Sequence, residues 1–588
     1  MIETDVLVVG AGPAGLTASA LLARARIRSI TVTKYGGTAD SPRAHITNQR
    51  TVEIFRDLGI EGTVAARAMP QEKMGTQIFA TSFAGKEISR TMTWGVGLDR
   101  RHEYEQSSPS AMCNIPQHIL EPIILQSAIQ HGAEIRFNTE LVAISQNASC
   151  VTARVRERLS GEEYDIRARY VIGADGARSV VGEQLGFAYE GEVALGEAVS
   201  VWLRADLSRY TAHRSGALAF ICHPGSEIWM SVWPCVNAWD EWNPFFLRYN
   251  RARGEASEEI LRRHISDAIG DPSIKFEIKK ITRWQVNHMV AANYRQGRVF
   301  LVGDAAHRHP PANGLGSNTS IQDPYNLVWK LELLLSGKAN ESLLDSYSAE
   351  RQPVGRRVID RAIKSQKEML PWSDAVGLRP DQTQEEAWRN IDDLFGETET
   401  AARRRAAVLA GLRLMDGQFN AHGVELGQHY KSQAIVDDPT VSLVELPTSD
   451  LHHTPTTQPG GHLPHVWLQR GAERLSTLDL ADYGHFTLIT GIGGHAWFVA
   501  ASEVSSALGV TIKCISAGLR QDNDDVLGEW TSSRDVGDTG CILVRPDRFI
   551  AWRAQKATDN AVFELSDVMM QILGRLQVNP RIVHEVDA

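Results

Sequence analysis

His45 stands two residues after Arg43 in the run Arg43-Ala-His-Ile-Thr-Asn-Gln-Arg50-Thr. An imidazole with an ordinary pKa of about 6.5 accepts a proton at neutral pH, which makes such a histidine a candidate general base. Three other runs stand out; the first suits a nucleotide, and each of the other two taken alone reads as a strand-to-turn join. Gly10-Ala-Gly-Pro-Ala-Gly15 is a GxGxxG segment, Asp175-Gly-Ala-Arg-Ser179 follows Tyr170-Val-Ile-Gly-Ala, and Gly303-Asp304 closes Gly297-Arg-Val-Phe-Leu-Val. In the first, Gly10, Gly12 and Gly15 permit a tight turn, close approach of backbone to a pyrophosphate and close packing of helix on sheet. His307 and His309 are two residues apart, with no third ligand at metal spacing, so no metal site is expected.

The elements that must hold these residues are legible around the first glycines. Asp5-Val-Leu-Val-Val reads as a strand buried on both faces, Leu16 to Arg26 as a helix, and Ser29 to Thr33 as the next strand of a βαβ unit. The helix N-terminus then offers free N–H groups and partial positive charge to phosphates. The acid expected about 20 residues on, for a ribose hydroxyl, is missing: the second strand ends Thr31-Val-Thr-Lys34-Tyr35. Between about 75 and 300, runs such as Val199–Leu203, Ala217–Cys222 and Ile228–Trp233 read as strands of one mixed sheet. Residues 381 to about 415 read as helical and charged, 446–465 as a connection rich in Pro, Thr, Ser, His and Gly. An α/β module follows, with Cys541-Ile-Leu-Val and Phe549-Ile-Ala-Trp as a hairpin around Arg545-Pro-Asp-Arg548.

Composition narrows the classes. The 588 residues include 61 Lys and Arg against 71 Asp and Glu, a net charge of −10, which argues against a nucleic-acid partner. Six cysteines without a CxxC argue against a disulfide framework and for a reducing cytoplasm. Val6 to Ala23 lacks charge over 18 residues, but Gly10, Gly12, Pro13 and Gly15 interrupt it, so neither a leader nor a membrane span is expected.

The three nucleotide motifs together resemble those of the FAD-dependent (class A) aromatic hydroxylases, the p-hydroxybenzoate and phenol hydroxylase family. Arg43-Ala-His-Ile-Thr-Asn-Gln-Arg50 and Arg308-His-Pro-Pro-Ala-Asn-Gly-Leu-Gly316-Ser-Asn318-Thr are similar to the branch of 2,4-dichlorophenol 6-monooxygenase and 2-hydroxybiphenyl 3-monooxygenase. The resemblance covers nearly the whole chain, including Arg545-Pro-Asp-Arg-Phe-Ile-Ala-Trp552. It implies an α/β fold: a Rossmann-type FAD-binding domain, an inserted mixed β-sheet substrate domain and a C-terminal thioredoxin-like domain. The expected boundaries are 1–185 for the first FAD-binding part, with sheet insertions from about 75–110, and 186–290 for the substrate sheet. A second FAD-binding part with helices follows at 291–400, then a helical connection at 401–440 and the thioredoxin-like domain at 441–588.

Carried over by residue, the resemblance places Gly10, Gly12, Ala14 and Gly15 on the FAD pyrophosphate, with Arg43, Gln117, Asp175 and Asp304 also on cofactor. Pro311, Gly314, Leu315, Gly316 and Asn318 would line the isoalloxazine ring, and Arg178 would share in nicotinamide binding. It implies tight non-covalent FAD, transient NADPH or NADH, an aromatic substrate, molecular oxygen and a homo-oligomer (dimer or higher). The implied reaction hydroxylates a phenolic or hydroxy-heteroaromatic ring ortho to its hydroxyl, through a flavin hydroperoxide. His45 would take the phenolic proton. Asn114, where relatives carry an aspartate, would orient His45 or substrate, and Trp202, Trp229, Trp233 and Trp284 would form pocket wall. Two other classes remain open: a flavin oxidoreductase without oxygen insertion, and a non-enzymatic flavin-binding protein. One local conflict is Pro324, which a helix interior disfavours by roughly 3 kcal/mol. Asp323 as an N-cap with Pro324 at the first helical position would remove it, at the cost of a late-starting helix; otherwise the helix is kinked.

Overall fold

The strand Ile2–Val9 has Val6, Leu7, Val8 and Val9 all buried, as a strand covered on both faces requires. It is the centre of an eight-stranded sheet in a computed structural model that describes residues 1–226, 228, 230–248, 257–379, 382–437 and 449–575. On one side it pairs in parallel with Glu163–Gly173, which pairs in parallel with Val299–Leu301; on the other it pairs with Ser29–Val32, then Glu134–Arg136. The three nucleotide motifs therefore follow the carboxyl ends of three adjacent parallel strands, where ligands of open α/β sheets bind. Helix Pro13–Arg24 follows the first strand and packs against Gln117–Gln130.

A nine-stranded mixed sheet supplies the second layer. Its long members Tyr189–Arg204 and Glu277–Ala291 pair antiparallel, and Leu218–Cys222 and Met230–Asn237 form an antiparallel pair beside Thr76–Ala80. One face packs Phe79, Trp94, Met112, Phe220 and Phe419 with Ile46; the other packs Phe83, Trp233, Trp242 and Leu261. A three-stranded patch completes the frame: Ile46–Thr47 and Met69–Pro70 each pair antiparallel with Cys113–Asn114.

Two compact units divide the chain. One comprises Met1–Pro324, Gln352–Leu426 and Thr448–His453; the other Tyr325–Arg351, Gly427–Pro447 and Thr454–Ala588. Tyr325–Arg351, expected with the second FAD-binding part, thus groups with the C-terminal unit, and the expected boundary at 441 lies outside the described residues. The second unit holds a seven-stranded sheet. Phe486–Thr490 is parallel to Ile512–Gly518 and antiparallel to Cys541–Val544, which forms the expected hairpin with Ile550–Ala554. Helices His495–Leu508 and Ala561–Ile572 pack together on it. Four ionic side chains are fully buried there: Arg545 bonds Glu350 and Asp547, Lys330 bonds Glu350, and Asn326 bridges both carboxylates.

The expectation of a late helix start at Pro324 is corrected. A single helix runs Gly316–Leu335 with Pro324 inside it. Asp323 is not its N-cap; the carboxylate instead accepts from the Gly303 N–H at 2.9 Å and bonds His307 Nε2 at 2.8 Å. Among the described residues no helix is long and apolar enough to cross a membrane, and no group of three or more His, Cys, Asp or Glu is placed to hold a metal.

Candidate active site

The three glycines of the first turn do different work. A Cβ on Gly10 would lie 2.1 Å from the Ala174 carbonyl oxygen, and one on Gly15 would lie 2.0 Å from that of Gly10. Both positions are closed by backbone, and Gly10 also has φ +110. Gly12 differs: its nearest outside atom would be Glu121 Oε1 at 4.0 Å, so its face of the turn is open. Helix Pro13–Arg24 has no side-chain cap and no acid in its first turn. Its free N–H groups and open glycine face fit an anionic pyrophosphate.

The other cofactor candidates surround this turn in unequal ways. Ala14 is buried 3.2 Å from where a Cβ of Gly303 would lie, which puts the exposed Asp304 beside the helix start. Gln117 donates to Glu121 at 2.6 Å, and Glu121 also accepts from Ala39 N–H on the loop leading to Arg43. Burial pushes the Glu121 carboxyl above its usual range, against the effect of those bonds. Glu121 escaped sequence reading, although its i,i+4 spacing to Gln117 was visible. Arg43 is exposed. Asp175 accepts from Ser179 Oγ at 2.6 Å and from Val181 N–H at 3.1 Å, so its carboxylate anchors the start of helix Val180–Gln184.

Pro311, Gly314, Leu315 and Gly316 form the turn that opens helix Gly316–Leu335. His309 Nε2 is buried, has no hydrogen-bond partner among the described residues, and lies 3.0 Å from where a Cβ of Gly316 would be. An unfilled polar atom at a glycine turn fits a ring that carries its own donors and acceptors. Asn318 joins this turn to the histidine segment. Its Nδ2 donates to Gly314 O at 2.7 Å and Ile46 O at 2.9 Å, and its Oδ1 accepts from Asn48 N–H at 3.0 Å. Neither this link nor that of Asp323 to the Gly303-Asp304 turn was visible in sequence, because each partner lies on a different element.

The structure brings His45 and Asn114 together, 69 positions apart. Ile115 N–H donates to His45 O at 2.7 Å and Gln117 N–H to Ala44 O at 2.9 Å, so two backbones hold the pair. His45 Nδ1 lies 2.7 Å from Asn114 Oδ1, while Asn114 Nδ2 donates to Cys235 O at 2.9 Å. With its amide N–H committed to a carbonyl, Asn114 presents oxygen to the imidazole, so Nδ1 carries the hydrogen and Nε2 the lone pair. The side chain is half-buried, and desolvation pushes the imidazole down to about 4, against a smaller upward effect of Asn114. Neutral His45 can therefore accept at Nε2, and its chain neighbour Ile46 packs in the apolar cluster of Met112 and Phe220.

The tryptophans do not converge. Trp233 is fully buried on the opposite face of the sheet, 5.1 Å from Phe83, with Nε1 bonded to Ser231. Trp202 stacks obliquely on His118 at 5.3 Å and bonds Glu241; Trp284 bonds Ser200 and meets Phe245 edge-on at 6.3 Å. Trp229 lies outside the described residues.

Comparison with known proteins identifies the family. Residues 3–362 match a family model described as "FAD binding domain", and residues 456–575 one described as "Aromatic-ring hydroxylase, C-terminal". The chain is 44% identical to a 2,4-dichlorophenol 6-monooxygenase of Cupriavidus pinatubonensis over 98% of this chain and 97% of that one. It is 41% identical to a phenol 2-monooxygenase of a Pseudomonas species over 97% and 93%. Among solved structures, the flavin-dependent monooxygenase PieE in complex with FAD and substrate superposes with a TM-score of 0.94 at 43% identity, covering 98% of this chain and 100% of that chain. The chain belongs to the FAD-dependent aromatic-ring hydroxylases.

Proposed function

We propose that this chain hydroxylates a phenolic ring ortho to its hydroxyl, at the expense of NADH or NADPH and molecular oxygen, with His45 as general base. The names of the relatives, a 2,4-dichlorophenol 6-monooxygenase and a phenol 2-monooxygenase, support the substrate class and the ring position. The observation that carries the role of His45 is an Nε2 without a hydrogen-bond partner among the described residues, on a segment that Asn318 fastens to the Gly314–Gly316 turn. FAD, when bound, supplies the reduced flavin that activates oxygen. Gly12 and the first turn of Pro13–Arg24 would hold its pyrophosphate, Asp304 its ribityl or phosphate portion, and Pro311 to Asn318 its ring.

The protein's own residues have three tasks. Nε2 of His45 accepts the phenolic proton, which raises electron density at the ring carbon to be attacked. Asn114 keeps the tautomer that makes this transfer direct. The apolar face around Phe79, Trp94, Met112 and Phe220 excludes water, which would otherwise divert reducing equivalents into peroxide. The test is turnover under labelled molecular oxygen with a panel of phenols and hydroxypyridines. One labelled atom in an ortho-dihydroxy product supports the reading; oxidation of the ring without label rejects it in favour of an oxidoreductase.

The C-terminal unit serves assembly or stability in this reading, with a thioredoxin-like fold and no thiol chemistry. A β-α-β unit extended by an antiparallel hairpin supports that fold, and Cys514 and Cys541 sit on separate strands as free thiols. A cytoplasmic homo-oligomer is the matching state; six free cysteines suit a reducing compartment, and light scattering on the purified protein tests the assembly.

A further inference from the structure

The hydrogen-bond inventory of Asn114 limits the ionisation state of the substrate. Its Nδ2 is held by Cys235 O at 2.9 Å, so rotation of the amide by half a turn would set oxygen against oxygen. Its Oδ1 therefore faces His45 Nδ1 at 2.7 Å and demands a donor there. Neutral His45 then has one hydrogen, on Nδ1, and Nε2 can only accept. A phenol O–H satisfies such an atom. A phenolate meets it lone pair to lone pair, and Asn114, being uncharged, offers no anion to stabilise an imidazolium that would receive the phenolate instead.

We propose that Asn114 is a specificity-determining positioning residue that makes the site select phenols in their neutral, O–H-donating form and exclude the phenolates of the same compounds. This rests on His45 being the group that meets the substrate hydroxyl. In the complex, one proton lies on the line between the phenolic oxygen and Nε2. On transfer the O–H bond breaks, the N–H bond forms, and His45 becomes an imidazolium that still donates from Nδ1 to Asn114. No proton leaves the complex, so a ligand already ionised in solution must take one up when it binds.

The experiment is calorimetric titration of the FAD-loaded protein, without nicotinamide cofactor, with phenol and with the more acidic 2,4-dichlorophenol. Buffers of different ionisation enthalpy report the protons exchanged. The expected result is constant affinity below each ligand's own pKa, then a fall of about tenfold per pH unit above it with uptake of one proton. The onset should come at lower pH for 2,4-dichlorophenol. Asn114→Ala, which frees the tautomer, should flatten the fall and abolish the uptake, whereas a merely structural residue would weaken binding equally at every pH. Undiminished affinity without proton uptake above the ligand's pKa in the unmodified protein would overturn the proposal, whether or not the variant folds. His45→Ala separates the two ideas. If it reproduces the unmodified profile, His45 does not meet the hydroxyl and the proposed base falls as well. If it alters the profile while the unmodified protein still binds phenolate, only the assignment to Asn114 fails.

Discussion

His45 and His422 are both held by side chains far away in sequence, but they are held in opposite ways. His422 has both ring nitrogens occupied, Nδ1 by Glu103 at 2.9 Å and Nε2 by Gln49 at 2.9 Å, and its ring stacks on Tyr104 at 3.9 Å. His45 has a neutral partner on one nitrogen and, among the described residues, none on the other. Burial lowers the affinity of both rings for a proton, so a perturbed titration does not tell them apart. Unfilled bonding capacity does. The first region uses hydrogen bonds to fasten chain segments together; the second leaves one bond unmade, for a ligand to make.

The sharpest way to test that contrast is to remove partners from each kind of site. Glu350, in the second unit, is the extreme of the closed kind, because its carboxylate receives Arg545, Lys330, Asn326 and Ser432. Glu350→Ala leaves two buried cations short of an anion, so we expect a loss of about 3–5 kcal/mol, read by denaturant unfolding. His45→Ala should instead leave folding and FAD content intact and lower hydroxylation by on the order of 10²-fold, with peroxide release rising. Equal losses of stability in the two variants would erase the distinction.

His422→Ala should behave as a structural change of intermediate size. It removes one partner each from Glu103 and Gln49, which keep the His452, His453, Tyr104 and Ser110 contacts, for about 1–3 kcal/mol, while turnover per folded molecule stays near its starting value. A milder probe is acid. Burial would raise the Glu103 carboxyl, but His422, the His453 N–H and His452 hold it down to about 2. The folded state therefore binds fewer protons than the unfolded one below the ordinary carboxylate range. His422, lowered by burial, acts in the same direction at higher pH. Stability should fall as pH drops from about 6.5 toward 2, and Glu103→Gln should flatten the lower part of that fall, as melting temperature against pH would record. Smallest of all, Asp304→Ala should reduce FAD occupancy by a few-fold with no change in melting temperature of the FAD-free protein.

Much of the frame was readable because its signals are local. Gly10 to Gly15, Asp175 and Gly303-Asp304 each follow a strand within a few residues, and the hairpin around Arg545-Pro-Asp-Arg548 announces its own turn. What failed to show was contact between distant elements. Asn114 could be suspected, but only the pairing of Ile46 with Asn114 puts it against His45. Alternation along Met230–Asn237 says that Trp233 and Val232 face opposite ways, not which of them joins the cluster that holds Ile46. Pro324 read as either a late helix start or a kink, because its ring costs a hydrogen bond; the late start gave way to tertiary context, with Asp323 drawn to Gly303 and His307. The grouping of Tyr325–Arg351 with the C-terminal unit was hidden for the same reason, since the division falls inside one uninterrupted helix.

Asn318 gives the molecule a division of labour. One amide ties the backbone at Ile46, Asn48 and Gly314, so the spacing between the His45 segment and the Gly314–Gly316 turn is held by a short local brace as well as by the two large sheets. On the reading proposed above, side chains on the sheet face can therefore be exchanged to suit a bulkier or slimmer ring without retuning the spacing that Asn318 holds. The brace is the part of the machine that cannot drift, and the walls are the part that can be redesigned around it.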